Sequence, residues 1–87
     1  MRVTVIFPDS TVYVDGEARR VEMPPHDANW RAIQWNRDRG DVEVRVGAGF
    51  SFDDPAIVAP FVAAWTAAVP PLPAVAPNQP ATSVEEM

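Results

Sequence analysis

The sequence predicts a mainly β (α+β) fold: a small antiparallel β-meander of about five strands, one short C-terminal helix and an extended proline-rich tail. Three observations carry this. β-branched runs recur through the first half, broken by turn residues. One apolar stretch, Ile57 to Trp65, repeats at three- and four-residue spacing. From Pro70 onward there are five prolines (70, 71, 73, 77 and 80) among small residues. Residues 1–68 are thus the folding unit, and residues 69–87 are a tail of the composition that favours polyproline-like backbone.

Taken in order, Arg2-Val3-Thr4-Val5-Ile6-Phe7 reads as a strand and Pro8-Asp9-Ser10 as a turn. Thr11-Val12-Tyr13-Val14 is a second strand, closed by Asp15-Gly16, a pair suited to a hairpin turn that needs φ > 0 at both positions. The return strand runs from Glu17 to Met23. Pro24 to Asn29 breaks the pattern. Trp30 to Trp35 resumes it, and strict alternation sets Trp30, Ala32 and Gln34 on one side and Arg31, Ile33 and Trp35 on the other. After the polar turn 36–40, Asp41 to Val46 alternates cleanly, with Val42, Val44 and Val46 expected to face the core. Gly47-Ala48-Gly49 ends the sheet, and Phe50-Ser51-Phe52 is expected to lead as a loop into the helix. Asp53 or Asp54 can cap that helix and Pro55 suits its first turn. Pro60 either kinks it or begins its main part. Pro70-Pro71 ends it.

Composition excludes several functions. With no cysteine, disulfides, thiolate nucleophiles and cysteine zinc sites are ruled out. Seven arginines, no lysine and twelve carboxylates give a net charge of −5, so there is no cationic excess for general nucleic-acid binding. The lack of lysine reads as coding bias in a GC-rich genome. The N-terminal apolar run is too short for a signal peptide, and no stretch approaches the ~18 apolar residues of a membrane span. A soluble, cytoplasmically made protein without membrane contact is expected.

No catalytic constellation emerges, and no enzymatic activity, metal or cofactor is expected. His26, the one histidine, lies between Pro25 and Asp27 in a loop and reads as solvated. Asp53-Asp54 reads as a helix cap rather than a cation site. Gly47-Ala48-Gly49 lacks the Lys-Ser/Thr of a phosphate loop.

Contact residues are the better candidates. Three tryptophans are many for 87 residues. With Trp30 and Trp35 on opposite faces, one belongs to a one-sided core; the other is covered within the chain by Phe50, Phe52 and the helix, or anchors a partner. Phe61 and Trp65 on the helix, and Pro70, Pro71, Leu72 and Pro73 in the tail, complete the set. A proline-rich segment loses little entropy on docking in an aromatic groove. The arginines at 19, 20, 31, 37, 39 and 45 form either a solvated face or the polar rim of an interface.

Several of these segments together resemble a family of short bacteriophage proteins encoded beside tail-fibre and baseplate genes. They are Val3-Thr4-Val5-Ile6, then Thr11-Val12-Tyr13-Val14-Asp15-Gly16, then Ala32-Ile33-Gln34-Trp35 followed by Gly40 and Val42-Glu43-Val44. Phe61 to Ala68, with Trp65, stands for that family's terminal helix. The resemblance spans residues 2–68 and departs at the Gly47–Phe50 loop and the tail. It implies a virion tail protein without enzymatic activity, an adaptor that attaches or stabilises tail fibres through contacts with other tail proteins or copies of itself. A non-virion fibre-assembly chaperone, or a small acidic inhibitor of a host protein, are the alternative roles.

Overall fold

The computed structural model describes residues 1–68, so the proline-rich segment, with Pro70, Pro71, Leu72 and Pro73, lies outside the described residues. Six strands form one antiparallel sheet: β1 (Arg2–Ile6), β2 (Thr11–Val14), β3 (Glu17–Arg20), β4 (Trp30–Asn36), β5 (Arg39–Val44) and β6 (Phe50–Phe52). A 3-10 turn (Pro55–Ile57) and one helix, α1 (Ala59–Ala67), follow.

The order across the sheet is β3-β2-β1-β4-β5-β6. The chain therefore builds outward from β1 twice: once through β2 to β3, then, after a crossing at residues 21–29, through β4 to β6. β1 suits the middle because Val3 and Val5 are fully buried and the strand gains a partner on each side. The Glu-Ala-Arg-Arg strand β3 suits an edge, where charged side chains discourage further pairing.

The Asp15–Gly16 turn has the expected left-handed backbone at both positions, φ +49° and +90°. Asp15 also clamps the turn to β1: its Oδ1 accepts from the Arg2 N–H at 2.8 Å, and its own N–H donates to the Arg2 carbonyl at 2.8 Å. The β4–β5 turn is tighter. Asp38 N–H donates back to the Asn36 carbonyl (2.8 Å) around Arg37, whose φ is +64°. That γ-type closure is strained for a residue with a Cβ.

One face of the sheet carries the core. Val3, Val5, Val12, Val14, Ile33, Trp35 and Val42 are buried there, covered by Phe7, Val21, Val58 and Phe61. Asp54 caps the 3-10 turn by accepting from Ala56 N–H (2.9 Å), and α1 starts afresh at Ala59 with Pro60 in its first turn. Of the two readings of Pro60, the one in which it begins the main helix is correct: at that position its missing N–H removes no helical bond.

Three expectations are corrected. Phe50–Phe52 is a sixth strand paired with β5, not a loop; three alternating residues are too few to signal a strand without their partner. β3 stops at Arg20 rather than Met23. β5 ends at Val44, and Val46, expected in the core, is 77% exposed because Asn29 holds it in the loop instead.

Candidate functional site

The two tryptophans of β4 share a face, which overturns the parity argument. In the ladder Ile33 pairs with Val42 and Ala32 with Glu43, but Trp30 pairs with Val44: a bulge at Arg31 absorbs one residue. Residues opposite one another point to the same side of an antiparallel sheet, and Val42 and Val44 are two apart. Trp30 and Trp35 thus both lie on the helix-bearing face. The bulge is held from both sides, by Phe7 N–H to the Arg31 carbonyl (3.1 Å) and by Trp30 N–H to the Asp27 carbonyl (2.9 Å).

Two aromatic groups result. Trp35 is buried and stacks on Phe52 at 5.4 Å between ring centroids with 21° between planes. Gly40, opposite both, leaves room for this: a Cβ there would lie 2.4 Å from Phe52 and 2.8 Å from Trp35. Phe61 is 2% exposed and meets Phe7 edge-on at 5.5 Å. Trp35 and Phe61 are therefore core residues with no surface to offer a partner, and Phe52 is half-buried beside them.

The second group reaches the surface. Trp30 is half-buried between Phe7 (6.2 Å) and Phe50 (6.1 Å), and Phe50 is 44% exposed. Val46 stands nearby in the chain's fold because Asn29, next to Trp30, grips it. Asn29 Nδ2 donates to the Val46 carbonyl (2.9 Å), its Oδ1 accepts from Val46 N–H (3.1 Å), and its carbonyl accepts from Arg45 N–H (2.8 Å). A valine held open to solvent by two side-chain hydrogen bonds is preorganised rather than merely unburied. Arg31 and Arg45, each next to one of these residues in sequence, are exposed.

Trp65 does something else. Its Nε1–H donates to the Glu17 carbonyl (2.9 Å), and the Arg19 guanidinium lies 3.7 Å over its ring. Arg19 also donates to the Trp65 carbonyl (3.0 Å) and pairs with Glu17 (2.9 Å). Trp65 thus fastens the helix to β3.

His26 is exposed, as expected of a loop histidine, with its ring tilted against Phe7 at 4.2 Å between centroids and Nδ1 2.8 Å from the Pro24 carbonyl oxygen. Among the described residues no group of three or more His, Cys, Asp or Glu side chains could hold a metal ion, and no helix is long and apolar enough to cross a membrane. The arrangement offers a partly exposed aromatic contact surface at Trp30 and Phe50. Sequence reasoning missed Val46 and Asn29, whose roles come from pairing across 17 residues and leave no local signal. Comparison with protein-family models, with curated proteins and with solved structures finds no match for this chain.

Proposed function

We propose that this chain is a small, non-catalytic protein-binding module. Following its resemblance to phage tail-associated proteins, we read it as an adaptor that helps attach or stabilise tail fibres, made in the host cytoplasm and carried on the virion tail. One observation carries the binding part: Trp30 and Phe50 form a partly exposed aromatic pair, and Asn29, the residue before Trp30, fixes the backbone there through its hydrogen bonds to Val46. Aromatic anchors on rigid backbone are the residues that dominate protein interfaces, since little side-chain entropy is lost on docking. The tail setting comes from the resemblance, and the partners it names are tail or tail-fibre proteins.

Mass spectrometry of purified phage particles tests the setting. The chain is expected among the virion proteins in several copies, and its absence from particles overturns the structural role. Phe50→Ala tests the surface: the folded variant is expected to lose incorporation into particles, and normal incorporation moves the contact elsewhere.

A further inference from the structure

The two edges of the sheet differ in kind. At β3 the edge carries Glu17, Arg19 and Arg20, three charged side chains in four residues. Such an edge resists a further strand. At the other end β6 is Phe50-Ser51-Phe52, with no charge.

The backbone groups of β6 can be followed along the ladder. The two-residue connection between Asn36 and Arg39 makes them the closing hydrogen-bonded pair, so two residues further Asp41 directs its N–H and C=O to Gln34. Gly40 and Val42 then serve β6, where they pair with Phe52 and Phe50. Consistent with this, the Val42 carbonyl oxygen points at Gly49, 2.2 Å from where a Cβ would stand. Ser51 is left with its N–H and C=O directed outward, while its hydroxyl donates to Asp41 Oδ1 at 2.6 Å.

We propose that β6 pairs antiparallel with β6 of a second copy of this chain, about a two-fold axis at Ser51, joining the two sheets into one. The strand is self-complementary for this pairing. The outward N–H and C=O of Ser51 meet those of Ser51 in the second copy. Phe50, 44% exposed in a single chain, comes opposite Phe52 of the second copy on the helix-bearing face. Gly49 comes opposite Asp53, so no two carboxylates face each other across the axis. Because the two-fold contact uses the same strand of both copies, it closes as a dimer, and the charges of β3 discourage extension at the far edge. The contact does not depend on the tail setting, since the partner is the chain itself.

The strand is short, so a weak dimer is expected, half-formed at roughly 100 µM. Each copy carries a net charge of −5, so association should tighten as salt rises. Sedimentation equilibrium of the full chain from about 5 µM to 1 mM, in low and high salt, reads both properties. Ser51→Pro removes only an outward N–H and is tolerated on an edge; it should weaken the dimer about tenfold or more, whereas Ser51→Ala should change it less than about twofold. Because the chain has no cysteine, Ser51→Cys gives a direct check. Opposed Cα atoms of a hydrogen-bonded pair lie about 5.5 Å apart, within disulfide range, so mild oxidation should give a covalent dimer. Gln34→Cys, in the middle of the sheet, should not. A wild-type chain that stays monomeric at 1 mM overturns the proposal. So does a folded Ser51→Pro variant that dimerises as the wild type does. If Ser51→Pro fails to fold by circular dichroism, the oxidation experiment decides, and equal cross-linking of the two cysteine variants overturns the proposal.

Discussion

Gly40→Ala is expected to be one of the most damaging single-methyl changes in the sheet, for a reason internal to the aromatic packing. The added Cβ would stand 2.4 and 2.7 Å from two Phe52 ring carbons and 2.8 Å from Trp35 Cε3. Ordinary carbon contacts need about 3.5–4.0 Å, so Phe52 must retreat by roughly 1 Å. Trp35, at 3% exposure, has nowhere to go, and the ring that yields is the one on the three-residue edge strand. Overpacking of this kind costs about 1–3 kcal/mol, and loss of the stacked geometry adds about 0.5–1.5 kcal/mol. Gly40 has no positive φ, so alanine recovers about 0.4–1 kcal/mol by restricting the unfolded chain. The net is a loss of about 2 kcal/mol. At a denaturant slope near 1 kcal/mol/M, the urea midpoint followed by tryptophan fluorescence should fall by about 2 M. In a Phe52→Ala background most of the clash is gone, so adding Gly40→Ala there should cost less than half as much. A loss below about 0.5 kcal/mol in the wild-type background would refute this reasoning, as would a cost that Phe52→Ala leaves unchanged.

Other substitutions probe separate features. Arg37→Gly relieves the left-handed φ of +64° while keeping the N–H that donates to the Met1 carbonyl, and should raise stability by about 0.5–1 kcal/mol in urea titration. Trp65→Phe keeps a ring under Arg19 but deletes the bond to the Glu17 carbonyl. It should lower stability by about 1 kcal/mol and speed hydrogen exchange of the β3 amides ahead of those in β1. Phe61→Ala should cost about 3–5 kcal/mol, enough to abolish a cooperative thermal transition in a domain this small. Phe50→Ala should cost about 1 kcal/mol or less by the same measurement, since its ring is already partly in water.

Much of the fold was legible because it is local. Asp15-Gly16 forms its turn from two residues that accept positive φ, and the alternation Val42–Val44 needs only its own strand. The 3-10 turn and helix follow from Asp54 and from two prolines placed where a missing N–H does no harm. What escaped is non-local. That β4 returns beside β1 rather than β3 depends on which strand has buried valines and which has charges, compared across the whole chain. β6 has three residues and exists because β5 offers it a ladder. The grip of Arg19 on Trp65 joins positions 46 residues apart and has no sequence signature in either neighbourhood.

The candidate site was half legible for a more specific reason. Aromatic residues announce themselves by type, but their faces depend on counting, and one bulge at Arg31 reverses the count for everything before it. Had β4 run without it, Trp30 would point to the side of Gln34 and Tyr13. Phe7 and Phe50 would then lose the ring that lies between them. The bulge moves Trp30 into line with Trp35, so the buried stack on Gly40 and the exposed pair at Phe50 lie along the same face. Residues 27–31 make this possible: Asp27 and Asn29 supply the carbonyls and amide that hold the irregular backbone and Val46 with it. A polar crossing segment that looks like mere spacing between two hairpins is what sets which side of the sheet its aromatic surface belongs to.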